Sequence, residues 1–492
     1  MMKWSWWLLS VAFPMSALAA PVGLGSNDSL TRAEAINPVV LAPQTAFAAP
    51  EPGTPLYIAR AVEFRASSET TGVWDQLPDR RWVWRAVIHA RDALSVGVTL
   101  DASPALGRST GHVYSPQGSS IYPLRTQTQE RVHSPLVGGD TLILEIVTAA
   151  ADSHPRFTIS RLDYGFSDPA KPSTQHKSGS CNVDTVCPEG DAWRDEIRSV
   201  ASYAASSGAG TFSCTGTLLA NTSGDGRPLF LTANHCISSE SLANSMTLYW
   251  NFETATCGGT PNGSRTDSQS GASLLAASAT TDFALVELDA RPNTAFDTYY
   301  SGWNATSSAP TQGTAIHHPL GDEKAISFEY AAPASTNYSS TGTTAAGTHW
   351  RIIDWDVGTT ERGSSGSALW DQNKRIIGQL EGGGAACGND ESDWYGKLAV
   401  SWSNDGSNPC SSLSPHLDPN GTGAPTSIAG YDLNAAGGTT LPLSDACYRA
   451  DGGGDNGGAI GGGSSGSLLL TWLAPLLLAG WWRRRSGLRG KH

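Results

Sequence analysis

Three short segments of this 492-residue chain carry side chains able to act together as nucleophile, base and orienting acid. They are Thr232-Ala-Asn-His-Cys236, Thr281-Asp-Phe-Ala-Leu285 and Gly363-Ser-Ser-Gly-Ser367, each at the end of or just inside an apolar, strand-like run. A serine hydroxyl is a poor nucleophile without a base, so Ser365 needs His235, and His235 needs the carboxylate of Asp282 to fix its tautomer. Gly363 and Gly366 permit a sharp turn around the serine. Such a turn lets the amides of Gly363 and Ser365 converge on a developing oxyanion, a contribution of ~2.7–4 kcal/mol per donor. The chemistry is acyl transfer. Singly, each piece has an ordinary explanation as a glycine-serine loop, a packed histidine or a strand-capping aspartate; the ordered set carries the reading.

Elements that would position this trio follow from composition and patterning. With 54 glycines, 17 tryptophans and only 16% charged residues, the chain reads as a β-rich exported protein of about three domains. Net charge is -13, with a basic cluster only in the last ten residues, which excludes nucleic acid as a partner. No metal cluster, phosphate loop or dinucleotide motif occurs, so no cofactor or metal is expected. Residues 1–19 read as a signal peptide: Lys3, an apolar run from Trp4 to Met15, then Ala17-Leu18-Ala19.

All eight cysteines (181, 187, 214, 236, 257, 387, 410 and 447) follow residue 180. An even count in an exported chain predicts disulfides but leaves their pairing open. Before them, Arg81–Ala90, the alternating Leu94, Val96, Val98 and Leu100, Leu142–Val147 and Phe157–Leu162 predict a small β domain over about 55–165. Asp168–Ser180, with two prolines, reads as an exposed linker, where a cut near Lys177-Ser178 would free a propeptide of residues 20–177. A permanent hinge is the competing reading. From 181 to about 432, Asp191–Tyr203 has a helical pattern. It precedes dense strand signals at Gly210–Ala220, Pro228–His235, Met246–Phe252, Asp282–Leu288, Gly313–His318, His349–Trp355, Ser367–Trp370, Arg375–Leu380 and Trp394–Trp402. Pro425–Leu433 is expected as a short C-terminal helix. The fold class is all-β, with two six-stranded antiparallel barrels fitting the length and placing the trio between them.

Several motifs resemble those of one family, the lysyl endopeptidases, secreted bacterial trypsin-like serine proteases. These are Ser180-Cys-Asn-Val-Asp-Thr-Val-Cys-Pro-Glu-Gly-Asp191, Phe230-Leu-Thr-Ala-Asn-His-Cys236, Ala315-Ile-His-His-Pro319 and Gly363-Ser-Ser-Gly-Ser-Ala368. The order His, Asp, Ser is also that of chymotrypsin-type proteases. The resemblance implies a two-barrel trypsin-like protease domain (178–447), cleavage after lysine, and His235, Asp282 and Ser365 as the triad. It further implies the bridges Cys181–Cys387, Cys187–Cys257 and Cys214–Cys236, leaving Cys410 with Cys447. In trypsin an aspartate six residues before the nucleophile selects cations; that position here is Thr359. The family uses an aspartate downstream of the serine, and Asp393 in Ser392-Asp-Trp-Tyr-Gly396 is its counterpart. Where the family has a histidine flanking the substrate, this chain has Glu381, and no companion tryptophan occurs in Asn337–Thr344. An added carboxylate keeps a basic preference while widening it from lysine towards arginine. Lys177 suits self-activation by such an enzyme.

After residue 447 come a Gly-rich linker (448–466), an apolar segment (467–482) and a basic tail (483–492). The order resembles a GlyGly-CTERM sorting tail of Gram-negative bacteria, which implies transient membrane anchoring and then release at or outside the cell surface. A retained tail anchor is the alternative. Expected partners are protein or peptide substrates, the chain's own propeptide, signal peptidase and a C-terminal sorting protease, with the enzyme a monomer. Against the endopeptidase reading stand a catalytically silent surface-binding protein on the same fold and a serine hydrolase on an α/β scaffold. The latter requires the order Ser, Asp, His.

Overall fold

A computed structural model describes residues 21, 37–45, 54–101, 106–118, 121–124, 131–148, 154–167, 178–403, 411–421 and 424–433. The chain divides into compact units of residues 1–448 and 449–492, and every described residue lies in the first. The expected signal peptide, Lys177, Cys410, Cys447 and everything after residue 433 lie outside the described residues.

Residues 39–165 form strands wherever β-branched and aromatic residues cluster between turns. Trp82–Ala90 pairs antiparallel with Thr141–Val147 in a six-stranded sheet, while Leu56–Ser67, Thr158–Gly165 and Ser95–Asp101 lie side by side in a second sheet. Trp84, Val96, Val98, Leu100, Leu144 and Leu162 are buried in one shared core. The Ser95–Asp101 strand, expected to be half-buried, is covered on both faces. A side chain at Gly97 would meet Leu136 at 3.1 Å, so the small residues that read as solvent-facing admit a second layer.

That second sheet does not stop at the linker. Leu56–Ser67 pairs antiparallel with Gly210–Leu219, so a 12-stranded sheet continues through Val200–Ser207, Leu229–Ala233, Ala272–Ser278 and Phe283–Leu288. A ten-stranded sheet gathers Gly313–His317, Ala325–Glu329, His349–Ile352, Ala368–Trp370, Ile376–Gly383 and Asp393–Lys397. The all-β class stands, while the strands after residue 178 outnumber six per sheet because several are only two or three residues long. Phe230, Trp250 and Leu248 fill the core beside the 12-stranded sheet, and Trp303, Trp370 and Trp402 lie in a cluster joining it to the ten-stranded sheet.

Two expected helices differ. Asp191–Tyr203 is split: a 3-10 turn over Pro188–Trp193 and one α-turn over Arg194–Ile197 give way to a strand from Val200, whose residues pack into the β core. Pro425–Leu433 holds a short strand, Ser427–Ile428, paired with Trp303–Asn304, and Tyr431 bridges Tyr300. Gly430 lies against the Tyr299 ring and the Tyr300 carbonyl, and Gly302 lies against the Gly430 amide; this close backbone approach suits an extended chain.

Candidate active site

Strand register brings His235 and Asp282 together. Leu229–Ala233 and Phe283–Leu288 are antiparallel neighbours with Ala233 opposite Phe283, so the residues leaving one strand meet those entering the other. Nδ1 of His235 donates to Oδ2 of Asp282 at 2.6 Å, and the His235 amide donates to Oδ1 at 2.8 Å. Asp282 is buried and sits at φ 52°, a left-handed conformation that a short hydrogen-bonding side chain tolerates. Its carbonyl accepts the Asn234 amide at 2.7 Å, which helps hold that conformation. The Cys214–Cys236 bridge fastens the histidine segment to the Gly210–Leu219 strand. The same pairing leaves Cys214, Cys236 and His235, which cluster closely, without a metal-binding thiolate.

Ser365 belongs to a tight loop between these strands and the ten-stranded sheet. Its carbonyl accepts the Thr215 amide at 2.9 Å, and the Thr215 hydroxyl donates to the Gly363 carbonyl at 2.9 Å. Gly366, at φ 84°, packs so closely that a Cβ would lie 2.7 Å from the Ala233 nitrogen, two residues before His235. Gly363, at φ 93°, is similarly confined, with a Cβ falling 2.8 Å from the Gly321 nitrogen. The Arg362 carbonyl accepts the Leu320 amide at 2.6 Å. Because the peptide is planar and trans, the Gly363 N–H therefore points away from Leu320.

Beneath the loop lies a relay of neutral groups that reading the sequence left without a role. Ser327 Oγ donates to the Thr359 carbonyl at 2.7 Å, His317 Nε2 donates to Ser327 Oγ at 3.1 Å, and Ser364 Oγ donates to His317 Nδ1 at 2.7 Å. Burial pushes the His317 pKa down to about 3, so the ring is neutral and can serve as donor and acceptor at once. The signal was present in Ala315-Ile-His-His-Pro319, which supports the loop from below.

Asp393 heads its strand opposite Gly383 on one side and Ile352 on the other. It is 1% exposed, and its Oδ2 accepts the Thr360 hydroxyl at 2.6 Å and the Trp355 indole N–H at 2.8 Å. Burial pushes its carboxyl above the usual range, only partly offset by these neutral donors. Thr360 follows Thr359, so the carboxylate arrives from another strand beside the position that lacks one. Glu381 is engaged elsewhere: the buried His349 donates from Nε2 to its Oε2 at 2.7 Å. Tyr338, inside the interval that lacks the companion tryptophan, packs near the His349 and Trp394 rings, at 5.6 and 6.0 Å. Trp355, Thr360, His349 and Tyr338 escaped the sequence reading because each acts through a partner far away in the chain.

The three described bridges are Cys181–Cys387, Cys187–Cys257 and Cys214–Cys236. No helix among the described residues is long and apolar enough to cross a membrane, and 467–482 lies outside them. Residues 175–396 match the family described as "Lysyl endopeptidase, C-terminal domain". The chain is 32% identical over 369 residues to the lysyl endopeptidase of Pseudomonas aeruginosa, covering 69% of this chain and 78% of that protein. Among solved structures, it is similar to a thermostable serine protease AL20 from an extremophilic microorganism (12% identity, 41% of this chain and 92% of that one, TM-score 0.31). It is also similar to a Glu endopeptidase (19% identity, 41% and 85%, TM-score 0.27). By its sequence relatives, this chain belongs to the lysyl endopeptidase family of serine endopeptidases.

Proposed function

We propose that the exported chain hydrolyses peptide bonds on the carboxyl side of lysine through an acyl-enzyme on Ser365. Ser365 Oγ attacks the scissile carbonyl as His235 Nε2 takes its proton, and Asp282 stabilises the imidazolium through Nδ1. The oxyanion is received by the amides of Gly363 and Ser365. Collapse breaks the C–N bond, and His235 returns the proton to the departing amine. Water, deprotonated by the same imidazole, then releases the acid and restores Ser365.

Lysine selectivity is carried by one observation: Asp393 is a fully buried carboxyl whose hydrogen-bond partners, the Thr360 hydroxyl, the Trp355 indole and the Ala385 amide, are all neutral. A buried carboxylate without a counter-ion is costly, so a substrate ammonium entering beside it is strongly favoured. Glu381, bonded to His349, adds a secondary bias towards cations and a modest tolerance of arginine. Residues 20–177 act as a propeptide removed by cutting after Lys177. The tail after 447 is a sorting signal processed at the cell surface.

Assaying the secreted protein on peptide amides ending in Lys, Arg, Glu or Phe tests this reading. Turnover of Lys above Arg, with Glu and Phe silent, is expected, together with loss of all turnover in Ser365→Ala. Equal turnover of Phe and Lys would overturn the selectivity. Sequencing the amino terminus of the secreted form should return Ser178.

A further inference from the structure

The strand Leu56–Ser67 lies along the edge of the very strand that holds the nucleophile loop. Its register on Gly210–Leu219 places Leu56 opposite Ser213, Tyr57 opposite Phe212 and Ala59 opposite Thr211. Two residues beyond Ser213, the Thr215 amide holds the Ser365 carbonyl. The amino end of the segment therefore points at the nucleophile, and the chain runs outward from it in the N-to-C direction. The half of a substrate that departs as an amine has the same polarity, because its new amino end starts at the cut bond.

Side-chain contacts fix the segment there. Arg362, the residue before Gly363, donates from Nη2 to the Pro55 carbonyl at 2.8 Å and to the Thr54 carbonyl at 3.1 Å. Leu56 is 6% exposed, and its Cδ2 lies where a Cβ on Gly363 would be 3.2 Å away and one on Gly321 3.6 Å away. At Gly363 the absence of a Cβ is what leaves this room, while the Gly321 contact is an ordinary van der Waals one. Farther out, Tyr57 packs edge-on against Phe212, and Asp163 accepts the Thr211 and Ser206 hydroxyls at 3.1 and 3.2 Å while pairing with Arg161 at 3.0 Å.

We infer that the Gly210–Ser213 edge and Arg362 form the binding site for the leaving half of an extended peptide substrate, and that Thr54–Ala59 occupies it as a substrate mimic in the uncut chain. Strand addition supplies the backbone hydrogen bonds, and the Leu56 niche takes an apolar side chain. The inference rests on the proposed lysine endopeptidase activity and deepens it: the uncut precursor is closed to extended peptides on the leaving side alone.

The full-length Ser365→Ala chain tests this without self-cleavage. Two fluorescent peptides serve as probes, one ending in lysine amide and one continuing for three further residues, with binding read by anisotropy. Leu56→Asp is expected to tighten binding of the longer peptide at least tenfold and to change the shorter one less than twofold; Leu56→Ser should act in the same direction by a smaller factor. No gain with either variant, or an equal gain for both peptides, overturns the inference. Hydrolysis of the same longer peptide by processed wild-type enzyme is measured separately. Silence there refutes the proposed activity itself, whatever the precursor binds.

Discussion

Two buried aspartates, 111 positions apart in the sequence, occupy opposite electrostatic situations. Asp282 is satisfied from within: the amide and ring of His235 both donate to it. Asp393 has a hydroxyl, an indole and the Ala385 amide, all neutral, and burial pushes its carboxyl up. A carboxylate held by donors of its own chain is in place before substrate arrives. On the proposed reading, one without a counter-ion among the described residues is completed by the substrate's own cation. The contrast explains how one fold keeps two acidic groups apart in role.

Breaking the first site should cost most. Asp282→Asn is expected to lower kcat by about 10^4 with little change in KM, because the wrong histidine tautomer is then held against Ser365. Single-turnover kinetics checks the split. Asp393→Asn should reduce kcat/KM on lysine substrates at least about 30-fold, equivalent to about 2–5 kcal/mol, since a substrate ammonium loses its buried partner. The same change should stabilise the empty protein at neutral pH. A carboxyl raised on folding favours the folded state fully below its unfolded pKa, and that contribution is lost as pH rises through the folded value. The variant should therefore unfold at a higher temperature near pH 7, with the gap closing in acid.

Acidification separates the two sites more gently. For lysine substrates, kcat/KM should fall as pH drops through the raised pKa of Asp393, above the ordinary aspartate range, a limb absent from Asp393→Asn. His317→Leu should lower kcat several-fold and destabilise the protein by about 1–3 kcal/mol, because the Ser364 and Ser327 hydroxyls lose their common partner. Smallest should be Glu381→Gln, a shift of a few-fold in the Lys-to-Arg ratio, measured on paired amides.

Local chemistry was legible in the sequence. His235, Asp282 and Ser365 stood in short motifs, and the strands carrying the first two showed their apolar patterning. The six cysteines were paired by the family resemblance, and the described bridges agree. What stayed hidden depends on packing between distant segments. Nothing near Thr360 or Trp355 marks them as partners of Asp393, because those contacts cross between strands and loops. Helical periodicity in Asp191–Tyr203 lost to the core that Val200, Ala201 and Tyr203 enter. The extended form of Pro425–Leu433 follows from Gly302 and Gly430 meeting backbone to backbone, which no local pattern announces.

The bridge from Cys181 to Cys387 spans 206 residues and encloses the other two described bridges. Any single nick between those two cysteines, including one within reach of a neighbouring copy of the same enzyme, leaves both fragments covalently joined. One cut of this kind by a neighbouring molecule therefore does not release a fragment.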